Sequence, residues 1–225
     1  MELIHAVDLK ISIVEGRKDT IPHAEAYALI DIFRSTSTIP LLLRNGASMV
    51  VPVFRLNTAR AMMKKDPDFI AVGERYGFKI PQFDYGNSPA DVLKHSFEGK
   101  PILFTSTNCT RVLERMRDRD KIFITSFVNF TATYERLIEF DDIALVMSGR
   151  PDGSADEDQI FSLFLEQKLK GKDIDPTSFI QMARKSNGAR RLKLIGYGRD
   201  VIPATTMDTV SFAAVYQDGR IVTAK

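Results

Sequence analysis

Thiols and imidazoles are scarce in this chain: its 225 residues include one cysteine, Cys109, and three histidines. A single cysteine excludes an internal disulfide, and three scattered histidines leave no zinc-type spacing. Long apolar runs are missing as well, since no stretch approaches the roughly 20 residues that a membrane span needs. The start Met1-Glu2-Leu3-Ile4-His5 has neither the basic head nor the apolar core of a signal peptide. The chain is therefore expected in the cytoplasm, with no membrane partner. Charge of one sign is also in short supply, because 31 Lys and Arg face 29 Asp and Glu for a net of +2. The most basic stretch, Arg115-Met116-Arg117-Asp118-Arg119, is diluted by Asp118 and Asp120 and reads as a solvated helix face, so no nucleic-acid partner is implied. The pattern Gly-x-x-x-x-Gly-Lys is absent too, and with it the signal for a nucleoside triphosphate.

What is present is a core-forming composition, 44% hydrophobic, arranged as alternating strand-like and helix-like runs. The first set is Ala26 to Phe33, Thr38 to Asn45, Met49 to Phe54, Asn57 to Lys65 and Ile70 to Gly73. A second set follows in Pro101 to Phe104, Thr110 to Arg119, Lys121 to Thr125, Asn129 to Glu139 and Ala144 to Met147. Such alternation predicts an α/β protein, a three-layer α/β/α arrangement with a mainly parallel sheet and a site at the C-terminal ends of its strands. The hexapeptide Phe33-Arg34-Ser35-Thr36-Ser37-Thr38 is echoed by Phe104-Thr105-Ser106-Thr107-Asn108-Cys109, a shift of 71 residues, and after a further slip of four Arg75 falls over Arg150. This echo predicts an internal duplication into two similar subdomains. They are residues 1–98, which include the Gly-, Pro- and Asn-rich loop 73–98, and residues 99–225, which carry a C-terminal extension. Beyond the second set, Arg150-Pro151-Asp152-Gly153 reads as a turn and Asp156 opens a helix with Ile160, Phe161, Phe164, Leu165 and Leu169 at helical spacing. Helices are also expected over Ser178 to Lys185 and Arg190 to Tyr197, with a terminal strand pair around Asp218-Gly219.

A cluster of Ser and Thr where a strand hands over to a helix presents hydroxyls and unpaired backbone N–H groups, which suits an anion such as phosphate. Arg34 in the first turn and Arg111 after the second add planar forks that can grip phosphate in two places. Serine and threonine are also ordinary helix caps, and the arginines favour the anion reading. Asp31 is an anomaly, a carboxylate inside an apolar strand-like run, where it must be paired, bind a metal or face a site. Glu74 closes the matching later strand, and Glu157 with Asp158 follows the second unit's equivalent strand. Hard carboxylates with few histidines favour Mg²⁺, a cation that often bridges protein to phosphate oxygens; salt bridges to Arg34, Arg75 or Arg111 are the alternative. Cys109 lacks the spacing to an arginine that a cysteine-phosphatase loop needs, and it is not read as a nucleophile.

Taken together these segments resemble the 2-phosphosulfolactate phosphatase family. The resemblance rests on Asp31-Ile32-Phe33-Arg34-Ser35-Thr36-Ser37, Gly73-Glu74-Arg75-Tyr76-Gly77-Phe78-Lys79-Ile80, Phe83-Asp84-Tyr85-Gly86-Asn87-Ser88-Pro89, Thr105-Ser106-Thr107-Asn108-Cys109-Thr110-Arg111 and Thr125-Ser126-Phe127-Val128-Asn129. An acidic pair falls on Glu157-Asp158. The chain departs from the family pattern at Cys109, which stands in place of a glycine, at Ala155, where serine is frequent, and in a shorter region after Gly171. What the resemblance implies is Mg²⁺-dependent hydrolysis of a phosphate monoester of a small acidic molecule, 2-phosphosulfolactate or a related phosphorylated 2-hydroxy acid. It implies catalytic roles for Asp31, Arg34, Glu74, Arg75 and Arg111. Phosphate or substrate contacts would come from Ser35, Thr36, Ser37, Asn87, Ser88, Thr107, Asn108, Thr110, Ser126 and Asn129, and metal ligation from Asp31, Glu74, Glu157 and Asp158. A non-catalytic anion-binding homologue is the competing reading, and homodimerisation is left open.

Overall fold

The computed structural model describes residues 9–151, 153 and 155–224; Met1 to His5 and Asp152 of the turn after Arg150 lie outside the described residues. The chain opens with β1 (Lys10–Glu15), a half-buried strand whose Ile11 and Ile13 alternate with Lys10 and Ser12. Next comes β2 (Ala26–Ile30), whose five residues are all buried because the run Ala-Tyr-Ala-Leu-Ile is apolar on both faces, as a strand covered on both sides requires. Helix α1 (Ser35–Arg44) follows, then β3 (Met49–Pro52), α2 (Leu56–Lys65) and β4 (Ile70–Arg75). The segment 73–98, expected as one long loop, begins instead as a hairpin. Strand β5 (Phe78–Lys79) turns back on β4 through Tyr76 and Gly77, which both hold positive φ, 55° and 96°, as a two-residue turn of the primed type demands. After the short α3 (Pro89–Val92) the pattern repeats with β6 (Pro101–Thr105), α4 (Cys109–Arg115), β7 (Ile122–Thr125), α5 (Phe130–Leu137) and β8 (Asp142–Met147). A helical stretch, α6 (Asp156–Leu169), α7 (Thr177–Lys185), α8 (Asn187–Leu194) and α9 (Val201–Ala204), leads to the terminal hairpin β9 (Ala214–Gln217) and β10 (Arg220–Thr223).

Among the described residues ten strands form one sheet in the order β1-β8-β2-β7-β9-β10-β3-β6-β4-β5. Two parallel blocks, β1-β8-β2-β7 and β3-β6-β4, are joined by the antiparallel β9–β10 hairpin. Each block takes a central strand from the other half of the chain: β2 lies between β7 and β8, and β6 lies between β3 and β4. The two units are thus interleaved in the sheet. Their equivalence is set at the helix starts, since Ser35 opens α1 and Cys109 opens α4, 74 residues apart. The strand neighbours, Ile30 opposite Met147 and Phe104 opposite Val72, relate the units by 74 and 75 residues. The hexapeptides echo at a shift of 71, and Arg75 falls over Arg150 at 75. Strand β2 stops at Ile30, and the apolar Ile32 and Phe33 that prolong its run belong to the turn.

Alternate residues of the strands feed different cores. Tyr27, Leu29, Ile124, Val146, Val50 and Phe104 share one cluster with Leu41 to Leu43 of α1, Val112 and Leu113 of α4 and Met116 just after it, so these two helices occupy the face common to both blocks. On the opposite face, Ala28, Ile30, Phe123 and Leu145 pack against Phe161, Phe164 and Leu165 of α6, while Ala71 and Leu103 pack against Ala59 of α2. Helices thus cover a mostly parallel sheet on both sides. With α1 and α4 side by side in one layer, the turns that precede them are brought to one place.

Candidate active site

The first of those turns is organised around Asp31. Its carboxylate, 7% exposed, lies against the backbone N–H and the hydroxyl of Ser35, which favour its charged form. The Thr36 N–H donates to the Asp31 carbonyl at 3.0 Å, and the Asp31 N–H donates to Thr36 Oγ1 at 2.9 Å. The N–H groups at this helix start, expected to be unpaired, are thus largely taken up by backbone carbonyls, Thr36 by Asp31 and Ser37 and Thr38 by Arg34. The other hydroxyls of the run turn inward as well: Ser37 donates to the Ile32 and Ala204 carbonyls and Thr38 to the Arg34 carbonyl. Burial pushes the Asp31 carboxyl up to about 6, against the pull of Ser35, and the charges of Glu74 and Glu157 add to the rise.

Glu74 reaches the same place from the end of β4. The Thr107 N–H donates to Glu74 Oε1 at 2.6 Å, and Glu74 Oε2 accepts the Gly77 N–H at 2.7 Å and the Thr107 hydroxyl at 3.0 Å. Thr107 Oγ1 in turn accepts the Tyr76 N–H at 2.8 Å, so the hairpin tip is tied to the turn after β6. Arg34 is almost fully buried and is held by three partners. Its Nη1 donates to Asp200 Oδ2 at 2.9 Å, its Nη2 to the Gly77 carbonyl at 2.6 Å, and its guanidinium lies 4.4 Å from the centre of the Tyr197 ring. Asp200, wholly buried, also accepts the Ser88 hydroxyl at 2.5 Å. Glu157 bonds Arg150 at 2.5 Å and the Gly188 N–H at 3.2 Å; a Cβ on Gly188 would meet its carboxylate and oblige it to shift. Asp158 accepts the Ile32 N–H at 2.8 Å, and burial, then Asp31 and Glu157, raise its carboxyl well above the usual range.

These groups surround a cavity of about 210 Å³ lined by Asp31, Arg34, Ser35, Glu74, Asn87, Thr107 and Asn108 on the sheet side and by Arg150, Gly188, Arg191, Leu192 and Ile195 on the side of α8. Asn87 donates to Ser35 Oγ at 3.2 Å, and its buried Oδ1 has no partner among the described residues. Of the residues singled out in the sequence, Asp31, Arg34, Ser35, Glu74, Asn87, Thr107 and Asn108 are thus brought together at the cavity wall. The others are engaged elsewhere. Arg75 spends its guanidinium on the Glu74 and Phe54 carbonyls and Thr105 Oγ1, and Arg111 is exposed beside the Phe54 ring, 5.8 Å away. Thr110 exchanges bonds with Ser106, and Ser88 caps α3. Asn129 closes a capping box with Ser126, whose hydroxyl donates to the Thr36 carbonyl at 3.0 Å. Asp200, Tyr197, Arg191 and Arg17 carry no local sequence signal and join the site only through the fold.

A family model described as 2-phosphosulpholactate phosphatase matches residues 12–219. The chain belongs to the 2-phosphosulpholactate phosphatase family. A probable 2-phosphosulfolactate phosphatase of Thermoplasma acidophilum is 38% identical over 213 residues, 94% of each chain. Its counterpart in Thermoplasma volcanium is 37% identical over 212 residues, covering 94% of this chain and 98% of that one, and one from Thermotoga petrophila is 34% identical over 193 residues, 80% and 84%. The relatives are named as phosphatases, which are phosphoric monoester hydrolases. The match runs well past the motifs at residues 28 to 160 and takes in α8 and Asp200, the elements that close the cavity. The family glycine replaced by Cys109 imposes no strain here, because Cys109 is the first residue of α4 and is not among the positive-φ residues. Burial raises the Cys109 thiol well above its usual range, and the charge of Asp31 adds to the rise, so it stays protonated and inert.

Proposed function

We propose that the chain is a Mg²⁺-dependent phosphatase that hydrolyses the phosphate monoester of 2-phosphosulfolactate or a related phosphorylated 2-hydroxy acid. The observation that supports it is the presence of two carboxylates, Asp31 and Glu74, in the wall of one cavity also lined by Arg34, Arg150 and Arg191. Asp31, whose proton affinity the charge of Glu74 helps to raise, does not welcome a phosphate beside it unless a cation lies between. Among the described residues no three acid, thiol or imidazole side chains are spaced to hold a metal by themselves. Mg²⁺ suits such a site, because it commonly takes one or two carboxylates and fills its shell with water and phosphate oxygens. Asp31 and Glu74 would hold it, and when bound it supplies charge neutralisation and a polarised water.

The chain's own groups do the rest. Ser35 Oγ and the Asn87 amide reach the phosphoryl group from the α1 side, and Thr107 and Asn108 from the α4 side. Arg34 uses two of its five N–H donors on Asp200 and Gly77, and the remainder are available to phosphoryl oxygens as charge develops. Phe33, Leu192 and Ile195 line the wall with apolar surface and limit water. The test is phosphate release from 2-phosphosulfolactate with Mg²⁺ and after chelation. Chelation and Glu74→Gln should each lower kcat/KM at least about tenfold, about 1.4 kcal/mol. Undiminished rates after chelation would remove the metal, and no release from any phosphorylated 2-hydroxy acid would leave the non-catalytic binder.

A further inference from the structure

We propose that Asp200 is a positioning residue for the reaction, acting through Arg34. It fixes the direction of the guanidinium and answers its charge, so that Arg34 serves the phosphoryl group in transfer without retaining the phosphate released. This rests on the reading of the cavity as a phosphatase site. Asp200 does not itself line the cavity; it is wholly buried at the end of the turn Gly198–Asp200, just before α9. Its two carboxylate oxygens are divided between two parts of the wall. Oδ2 accepts Arg34 Nη1 at 2.9 Å, while Oδ1 accepts the Ser88 hydroxyl at 2.5 Å and the Ala90 N–H at 3.3 Å. Ser88 follows Asn87, the cavity residue whose amide donates to Ser35. One buried carboxylate therefore ties the first turn to the segment that carries Asn87.

The charge balance at Arg34 makes that carboxylate more than a brace. Both members of the pair are buried, where attraction between opposite charges is weakly screened. Other sides of the guanidinium are also occupied, Nη2 by the Gly77 carbonyl at 2.6 Å and one face by the Tyr197 ring, 4.4 Å from its centre. Turning the group would break all three contacts, so it stands in place at the cavity wall before any ligand arrives. A buried arginine without a counter-charge would instead hold phosphate as its counter-ion, and tight binding of the ground state does not speed the chemical step. Paired with Asp200, Arg34 has little net charge left with which to keep the released phosphate. Its three N–H donors not used by Asp200 and Gly77 still strengthen as charge builds on the phosphoryl oxygens.

The test joins kinetics to calorimetry with inorganic phosphate on the full chain in Mg²⁺. Asp200→Asn keeps the shape of the side chain and removes its charge. It should lower kcat at least about tenfold, leave KM no higher, and tighten inorganic phosphate at least about threefold. Tyr197→Leu leaves the ion pair in place and should lower kcat while the phosphate Kd stays within about twofold. Because Asp200 acts through Arg34, adding Asp200→Asn to Arg34→Gln should lower kcat by less than about a further twofold. That double variant carries no unpaired buried charge, so it reads the role even where Asp200→Asn alone does not fold. Unchanged kcat in Asp200→Asn, phosphate weakened in step with kcat, or a full further loss in the Arg34→Gln background would each overturn the role. An unaltered protein that releases no phosphate would refute the phosphatase reading, and phosphate tightened by Asp200→Asn would still show that Asp200 restrains Arg34.

Discussion

Asp31 occupies a position where charge is costly in the absence of a ligand. Its folded-state pKa of about 6 lies above the ordinary 3.8, so its contribution to stability is whole below about pH 3.8 and is lost as pH rises through about 6. Above that pH the ionised group is held, desolvated, against Glu74 and Glu157. In chelator-treated protein Asp31→Asn should therefore raise the thermal midpoint relative to the unaltered chain more at pH 8 than at pH 4.5, with a stability difference of up to about 3 kcal/mol. Equal shifts at both pH values in thermal melts would contradict this. A carboxylate in an apolar run was the clue that marked Asp31 in the sequence, and Glu74 was marked by its place at the end of a strand. The partner of Arg34 was not legible, because Asp200 lies 166 residues away in a stretch with no pattern of its own. Nor does proximity along the chain hint that the hydroxyls of Thr36, Ser37 and Thr38 are all spent on backbone atoms.

Helix α1 shows how an element recruits help from a distant turn. Pro40 lies inside it and has no N–H to offer the Thr36 carbonyl four residues back. The Ser126 hydroxyl donates to that carbonyl instead, at 3.0 Å, and both residues are fully buried. Ser126→Ala should cost about 1–3 kcal/mol by leaving a buried carbonyl unsatisfied. Pro40→Ala restores a backbone donor, so Ser126→Ala should cost distinctly less in that background; denaturant melts of the double-mutant cycle read the coupling, and additive losses would reject it. Helix and strand periodicity placed most elements of the two units within a few residues. The β4–β5 hairpin escaped because its turn is Tyr76-Gly77, not the Asn-Gly or Asp-Gly pair that advertises a primed turn. Strand β1 is half-exposed at the sheet edge, where polar residues interrupt its apolar pattern.

At the scale of the molecule, alternation of strands and helices foretold a mainly parallel sheet, but strand order is a non-local property that no window of sequence reports. The exchange of β2 and β6 between blocks is the consequence that matters most. Strand β2 has all its neighbours, β7 and β8, after residue 98, and β6 has both of its neighbours, β3 and β4, before it. The cavity follows the same rule, since Asp31, Arg34 and Glu74 come from one half and Thr107, Asn108 and Arg191 from the other. Residues 1–98 or 99–225 expressed alone would each expose a parallel block with a gap at its centre, and a gap of unpaired backbone and apolar side chains does not sustain a cooperative fold. Each half alone should thus show no cooperative thermal transition by circular dichroism. Co-expressed halves should recover a 1:1 complex on gel filtration that melts as one unit. A cooperative melt from either half by itself would mean that the blocks are independent and that the exchanged strands are dispensable.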